Sequence, residues 1–196
     1  MRLGIMQPYF APALGYFDLI NLSDGWIVFD TAQYRRRSWM NRNRILHPDD
    51  GWQYITAPVN KRPRGTPISE ITLTDGNDWR HRMLRQLDHY RQTAPHFEVA
   101  RALLAETLEE PTDSLAELSV AFLRNGCRLL GISFEPEYFS RMELEMGPVE
   151  GPGDWALRIS EALGADEYVN PPGGEDIFDP QAFQEAGVRL RIRRFE

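Results

Sequence analysis

The chain has one cysteine, Cys127, so it can form no internal disulfide and no cysteine zinc cluster. Lysine is equally scarce: Lys61 stands alone against 21 arginines. No apolar run approaches the length of a membrane span, so no membrane insertion is expected. The apolar stretch near the amino-terminus is broken by Pro8 and Pro12, which argues against a signal peptide and for a cytoplasmic protein. The four histidines, His47, His81, His89 and His96, show no metal-ligand spacing, so no metal site is expected. There is no P-loop, no nucleophile elbow, no complete G-x-G-x-x-G, no internal repeat and no low-complexity tract.

Charge is present but uneven. The formal net charge is −7. Between residues 35 and 64 lie eight basic groups, Arg35, Arg36, Arg37, Arg42, Arg44, Lys61, Arg62 and Arg64, and two acids, Asp49 and Asp50. That is +6 locally and −13 for the remainder. A compact basic patch on an acidic chain focuses a small anion toward one place. Nucleic-acid affinity would call for a broader basic surface, so no nucleic-acid partner is expected.

The pattern is organised around residues 3 to 46. Leu3-Gly4-Ile5-Met6 is an apolar run ending at Gln7-Pro8, and Trp26-Ile27-Val28-Phe29 is a second, ending at Asp30. Leu14, Phe17, Leu19, Ile20 and Leu22 between them mark a helix, giving a βαβ unit of a parallel sheet. Farther on, residues 52–57 read as a strand and 60–67 as a loop. Residues 68–73 are a weaker strand. Apolar stripes predict helices with Trp79, Met83, Leu84, Leu87 and Tyr90, then Phe97 to Leu108, then one opened by a capping box at Ser114-Leu115-Ala116-Glu117. Ile132-Ser133-Phe134 before Pro136 reads as a strand. Residues 143–153 read as a mobile surface loop. A helix from Asp154, a strand at 167–169, a short helix at 181–186 and an edge strand at 188–193 complete the chain. The expected fold is a single α/β domain over residues 1–196, with a mainly parallel, Rossmann-like sheet flanked by helices.

In such sheets ligands bind outside the carboxyl ends of the strands. Gln7, Asp30 and Asn170 each end a predicted strand, so a shared pocket with Asn41 and Arg42 is expected. Asp30 suits a general base, or a charge partner for the arginines that follow it. Gln7 offers an amide to a ligand or to turn backbone. Gly15 allows close approach of a ligand to a helix start, or relieves crowding. Trp39 stacks on a ring or packs. Asn41 and Asn43 share a face if their segment is extended; Arg37, Asn41 and Arg44 do so if it is helical. Cys127 reads as a buried structural thiol.

The residues Met6-Gln7-Pro8-Tyr9-Phe10-x-Pro12-x-x-Gly15-Tyr16-Phe17-x-Leu19-Ile20 resemble the opening of the WbqC-like family. So do Phe29-Asp30-x-x-Gln33-Tyr34 and Arg37-x-Trp39-x-Asn41-Arg42-Asn43-x-Ile45. Gly164-Ala165-x-Glu167-Tyr168-x-Asn170-Pro171-x-Gly173-Gly174, with Phe183 and Gly187, is similar to that family's carboxyl-terminal part. The resemblance spans nearly the whole chain. It implies a place in bacterial clusters for surface polysaccharide or specialised metabolites, without a settled reaction or cofactor. A more distant likeness in layout is to pantothenate synthetase and other nucleotidyl-transferring Rossmann-like enzymes. Their His-x-Gly-His signature is replaced here by Ala13-Leu14-Gly15-Tyr16.

The functional expectation is group transfer, such as acyl or aminoacyl transfer to an amine or amino sugar. Asp30, Gln7 and Lys61 are the candidates for chemistry. Tyr9, Gly15, Tyr16, Gln33, Arg37, Trp39, Asn41, Arg42, Asn43, Asn170, Gly173 and Gly174 are the candidates for binding substrate. The expected partner is a small phosphate- or carboxylate-bearing metabolite, with a carrier protein as a further candidate. The rivals are a non-catalytic module that binds such an anion and an ATP-dependent amide ligase lacking the usual histidines.

Overall fold

Short apolar runs become strands here because both faces of a parallel sheet are covered. In the computed structural model, which describes residues 1–76 and 78–195, the regular elements are β1 (Arg2–Met6), α1 (Gly15–Leu22), β2 (Gly25–Val28), β3 (Arg42–Leu46), β4 (Trp52–Thr56), α2 (Trp79–Gln86), α3 (Phe97–Leu108), α4 (Leu115–Leu130), β5 (Pro136–Tyr138), α5 (Asp154–Ala162), β6 (Glu167–Asn170), α6 (Pro180–Glu185) and β7 (Arg189–Ile192). The chain falls into two compact units. The first comprises residues 1–6, 13–29 and 132–196, the second residues 7–12 and 30–131.

The first unit holds a five-stranded, all-parallel sheet in the order β5-β2-β1-β6-β7, flanked by helices, an α/β Rossmann-like architecture. Leu3, Ile5 and Ile27 from the central strands pack with Leu157 and Ile159 of α5, Phe183 of α6, and Tyr168 and Val188. The predicted strand at 132–134 is instead β5, beginning at Pro136. Proline has no N–H for a ladder, and the first residue of an edge strand is where it is tolerated. Residues 143–153 carry no helix or strand, as expected, but they are not a loose loop. Met142, Leu144 and Met146 pack on the core at alternate positions, which ties the segment down.

The second unit pairs β3 with β4 as an antiparallel hairpin and packs α2, α3 and α4 together. The Ser114 hydroxyl accepts from Glu117 N–H at 3.3 Å to start α4, and Gly131 in the left-handed region (φ 69°) ends it. The weak strand expected at 68–73 is a single 3-10 turn at Ile68–Glu70 followed by isolated bridges, Leu73 to Val59 and Thr72 to Ser114. Ile68, Ile71 and Leu73 are all buried, which a one-sided strand alternation does not allow. Among the described residues, no helix is long and apolar enough to cross a membrane.

Candidate functional site

The strand order of the first unit reverses between β1 and β6. From β1 the chain builds outward through β2 to β5 on one side, and β6 leads to β7 on the other. Such a reversal leaves a crevice at the carboxyl ends of the two central strands. A cavity of about 530 Å³ lies there. Ala13, Gly15, Tyr16, Asp18 and Leu19 line it from the start of α1. Pro171 and Pro172 line it from the loop after β6, and Arg193, Arg194 and Phe195 from the end of β7.

Its walls are mostly apolar, with charge at one edge. Arg193 donates from Nε and Nη2 to the two oxygens of Asp18, at 2.7 and 3.0 Å, a bidentate ion pair. Arg193 N–H also donates to the Asn170 carbonyl at 2.8 Å, which fixes where the arginine leaves the sheet. Arg194 reaches Glu175 at 3.0 Å and remains two-thirds exposed.

Gly15 is informative because nothing in the fold requires it. A Cβ built there meets only Phe195, at 3.7 Å, an ordinary contact, and the glycine does not sit in the left-handed region. The crowding explanation therefore has no neighbour to rest on. What a side chain would enter is the cavity. The start of α1 also has no side-chain cap, since Leu14 occupies the cap position. The Tyr16 and Phe17 amides donate instead to the Ala13 and Leu14 carbonyls, each at 3.0 Å, and Asp18 lies in the first turn at the positive end of the helix dipole.

Asn170 sits beside the cavity and its amide is engaged at both ends. Its Oδ1 accepts from the Tyr168 hydroxyl at 2.7 Å and its Nδ2 donates to the Pro171 carbonyl at 2.7 Å. Tyr168 is buried, and burial pushes its ionisation upward, so it remains a donor. Asn170 thus holds the Pro171-Pro172 loop in place. A Cβ at Gly174 would come within 2.8 Å of the Asn170 amide, whereas Gly173 faces open space.

The remaining sequence candidates belong to the second unit. Tyr9 donates its hydroxyl to Gln7 Oε1 at 3.0 Å, and burial raises its ionisation while Arg35 opposes the rise. Asp30 is 2% exposed, and its carbonyl accepts from Ser69 N–H at 2.9 Å. Gln33 is exposed and bridges Pro67; Lys61 is exposed on its loop.

The segment 42–46 is extended, so alternate residues share a face. Asn41 donates its amide to the Ala57 carbonyl at 2.8 Å, and Asn43 to the Ala11 carbonyl at 2.5 Å. Arg42 donates from Nη2 to the Arg37 carbonyl at 2.6 Å, with its guanidinium 3.8 Å over the Tyr54 ring. Ala11 and Arg37 are the two non-glycine residues with positive φ among the described residues, at 46° and 57°. That conformation costs about 1–2 kcal/mol at a non-glycine residue. Asn43 and Arg42 each hold one of these residues through its carbonyl.

Gly15 and Tyr16 line the cavity, and Asn170, Gly173 and Gly174 belong to the loop after β6 in the same unit. Gln7, Tyr9, Asp30, Gln33, Arg37, Trp39, Asn41, Arg42, Asn43 and Lys61 belong to the other unit. Asp18, Arg193, Arg194 and Phe195 were not anticipated. Their signal was present: β7 also ends at this edge of the sheet, and arginine follows it directly. Among the described residues, no group of three His, Cys, Asp or Glu side chains is placed to hold a metal ion.

Residues 7–196 match the model of the WbqC-like protein family. The chain is 35% identical over 190 residues to the uncharacterized protein Rv1507c of Mycobacterium tuberculosis, an alignment covering 96% of this chain and 80% of that one. No solved structure matches.

Proposed function

As this chain belongs to the WbqC-like protein family, with a cavity where its parallel sheet changes strand order, we propose that it is a group-transfer enzyme whose small anionic substrate occupies that cavity. The observation that carries the reading is Gly15, a position kept free of side chain where only the cavity gains by it. The positive end of the α1 dipole and the two-thirds exposed guanidinium of Arg194 suit a carboxylate or phosphate. The walls of Tyr16, Leu19, Pro171 and Phe195 suit an apolar portion of the same molecule.

The transfer in keeping with these groups is acyl or aminoacyl transfer to an amine. The amine nitrogen forms a bond to the carbonyl carbon, the bond to the donor's leaving group breaks, and that group departs with the electron pair. The amine loses one proton, which the departing group takes up. Oriented cations and helix dipoles stabilise the oxyanion of such a step. The family resemblance points to surface-polysaccharide or specialised-metabolite biosynthesis as its setting, with a carrier protein as a candidate donor.

A second reading, a non-catalytic module that binds the same anion, is favoured by Asp18. This carboxylate on the cavity wall is tied to Arg193 rather than poised as a base. The experiment first screens carboxylated and phosphorylated metabolites by thermal shift, and no stabilising compound at all rejects both readings. Turnover is then measured on the hit. Turnover of the native protein separates the two readings, and Asp30→Asn then tests that residue as a base, for which a fall of about a hundredfold with unchanged affinity is expected. Full activity removes Asp30 from the chemistry. No turnover in the native protein leaves the binding module.

A further inference from the structure

The outward face of the hairpin carries a second, independent set of groups. The register pairs Arg42 with Thr56, Arg44 with Tyr54 and Leu46 with Trp52, so these six side chains share one face. The other face is turned inward: Ile55 is buried, and Gln53 accepts from Gln86 of α2 at 3.0 Å. On the outward face the planar groups form a continuous ladder. The Arg44 guanidinium lies 5.2 Å from the Trp39 ring and 4.2 Å from the Trp52 ring. Trp52 meets Tyr54 edge-on at 4.9 Å, and Arg42 covers Tyr54 at 3.8 Å. Trp39 and Trp52 are nevertheless 42% and 50% exposed.

The charge of this region has no internal answer. In this unit Arg85 pairs with Asp78, Arg91 with Glu98, Arg101 with Asp88 and Arg128 with Glu106. None of the eight basic side chains between residues 35 and 64 pairs with a carboxylate of the unit, among the described residues. Exposed indoles offer stacking planes to a flat ring, and unpaired guanidinium forks suit phosphate oxygens.

We propose that this face binds a nucleoside phosphate, with the base stacked on the indoles of Trp39 and Trp52 and the phosphates held by Arg44 and the neighbouring unpaired arginines. A bare phosphate has no use for the indoles. A long strand needs more stacking planes than the two indoles and one phenol supply. All of these groups belong to the second unit, and the proposal does not rest on the group-transfer reading.

The test titrates the full chain with UDP, ADP, uridine, pyrophosphate and the oligonucleotide dT20, following tryptophan emission and heat of binding. A nucleoside diphosphate should quench emission and bind at least about tenfold more tightly than either uridine or pyrophosphate, since one stacked base is worth about tenfold or more. Trp52→Leu should weaken binding about tenfold and remove much of the quench. Arg44→Gln should weaken it and flatten its salt dependence. Both side chains are exposed, so an unchanged unfolding midpoint confirms that the variants fold. Pyrophosphate binding as tightly as UDP and ADP would overturn the proposal. So would binding of dT20 without either diphosphate, no binding of either diphosphate, or variants that bind like the native chain.

Discussion

Gly15→Ala should make the protein more stable, and Gly15→Leu should weaken binding of the anion proposed for the cavity. Alanine is favoured over glycine in a helix by up to about 1 kcal/mol, and about half of that is expected at the first position of α1. No steric cost opposes it, because the added methyl meets only Phe195 at 3.7 Å. For a chain of this size about 0.5 kcal/mol raises the unfolding midpoint by about 1–2 °C. Leucine places a whole isobutyl group in the cavity. The ligand must then be displaced or the walls must shift, at about 1–3 kcal/mol, which is roughly a fivefold to hundredfold loss of affinity. The assay pairs a thermal melt with titration of a metabolite that stabilises the native chain. A lower midpoint for Gly15→Ala would show that the space beside Phe195 is not open. Native affinity in Gly15→Leu would move the ligand elsewhere.

Three further outcomes are expected. Asp18→Asn keeps the shape of the ion-pair partner but removes its charge, so the cavity wall becomes more positive by one charge and anion binding should tighten by up to about fivefold, the worth of about 1 kcal/mol. Weaker binding would mean that Asp18 itself contacts the ligand. Arg37→Gly should raise stability by up to about 1 kcal/mol by relieving a left-handed residue, and Asn43→Ala should lower it by about 1–3 kcal/mol by orphaning the Ala11 carbonyl, both read by urea titration. Burial pushes the Cys127 thiol from 9.0 up to about 11. The folded state therefore holds its proton where the unfolded chain has lost it, so stability should fall between pH 9 and 11, and Cys127→Ala should flatten that fall. An identical pH slope in the variant would show that the thiol does not contribute.

The sheet was legible because its central strands are short apolar runs, and runs covered on both faces need no periodicity to be recognised. The carboxyl-end rule pointed to Gln7, Asp30 and Asn170; of these Asn170 lies in the unit that holds the cavity, next to Pro171 of its wall, and Gln7 and Asp30 lie in the other unit. The rule stopped short of Arg193, because the alternation of β7 reads as a solvated edge and its partner Asp18 lies 175 positions away. The strap at Met142, Leu144 and Met146 was hidden by its glycines, prolines and glutamates, although its apolar residues alternate cleanly. The same limit explains Asn41, Arg42 and Asn43. An amide or a guanidinium in an extended segment offers the same donors to a substrate oxygen as to a backbone carbonyl. In the structure the two asparagines and the arginine spend donors on Ala57, Ala11 and Arg37. Two of those acceptors belong to residues held in the left-handed region, and such strain persists only where its surroundings over-determine it. The motif that reads most like a binding signature thus fixes the two loops on either side of it. Its outward side, with Arg42 and Arg44 against Trp52 and Tyr54, is where the same few residues face solvent.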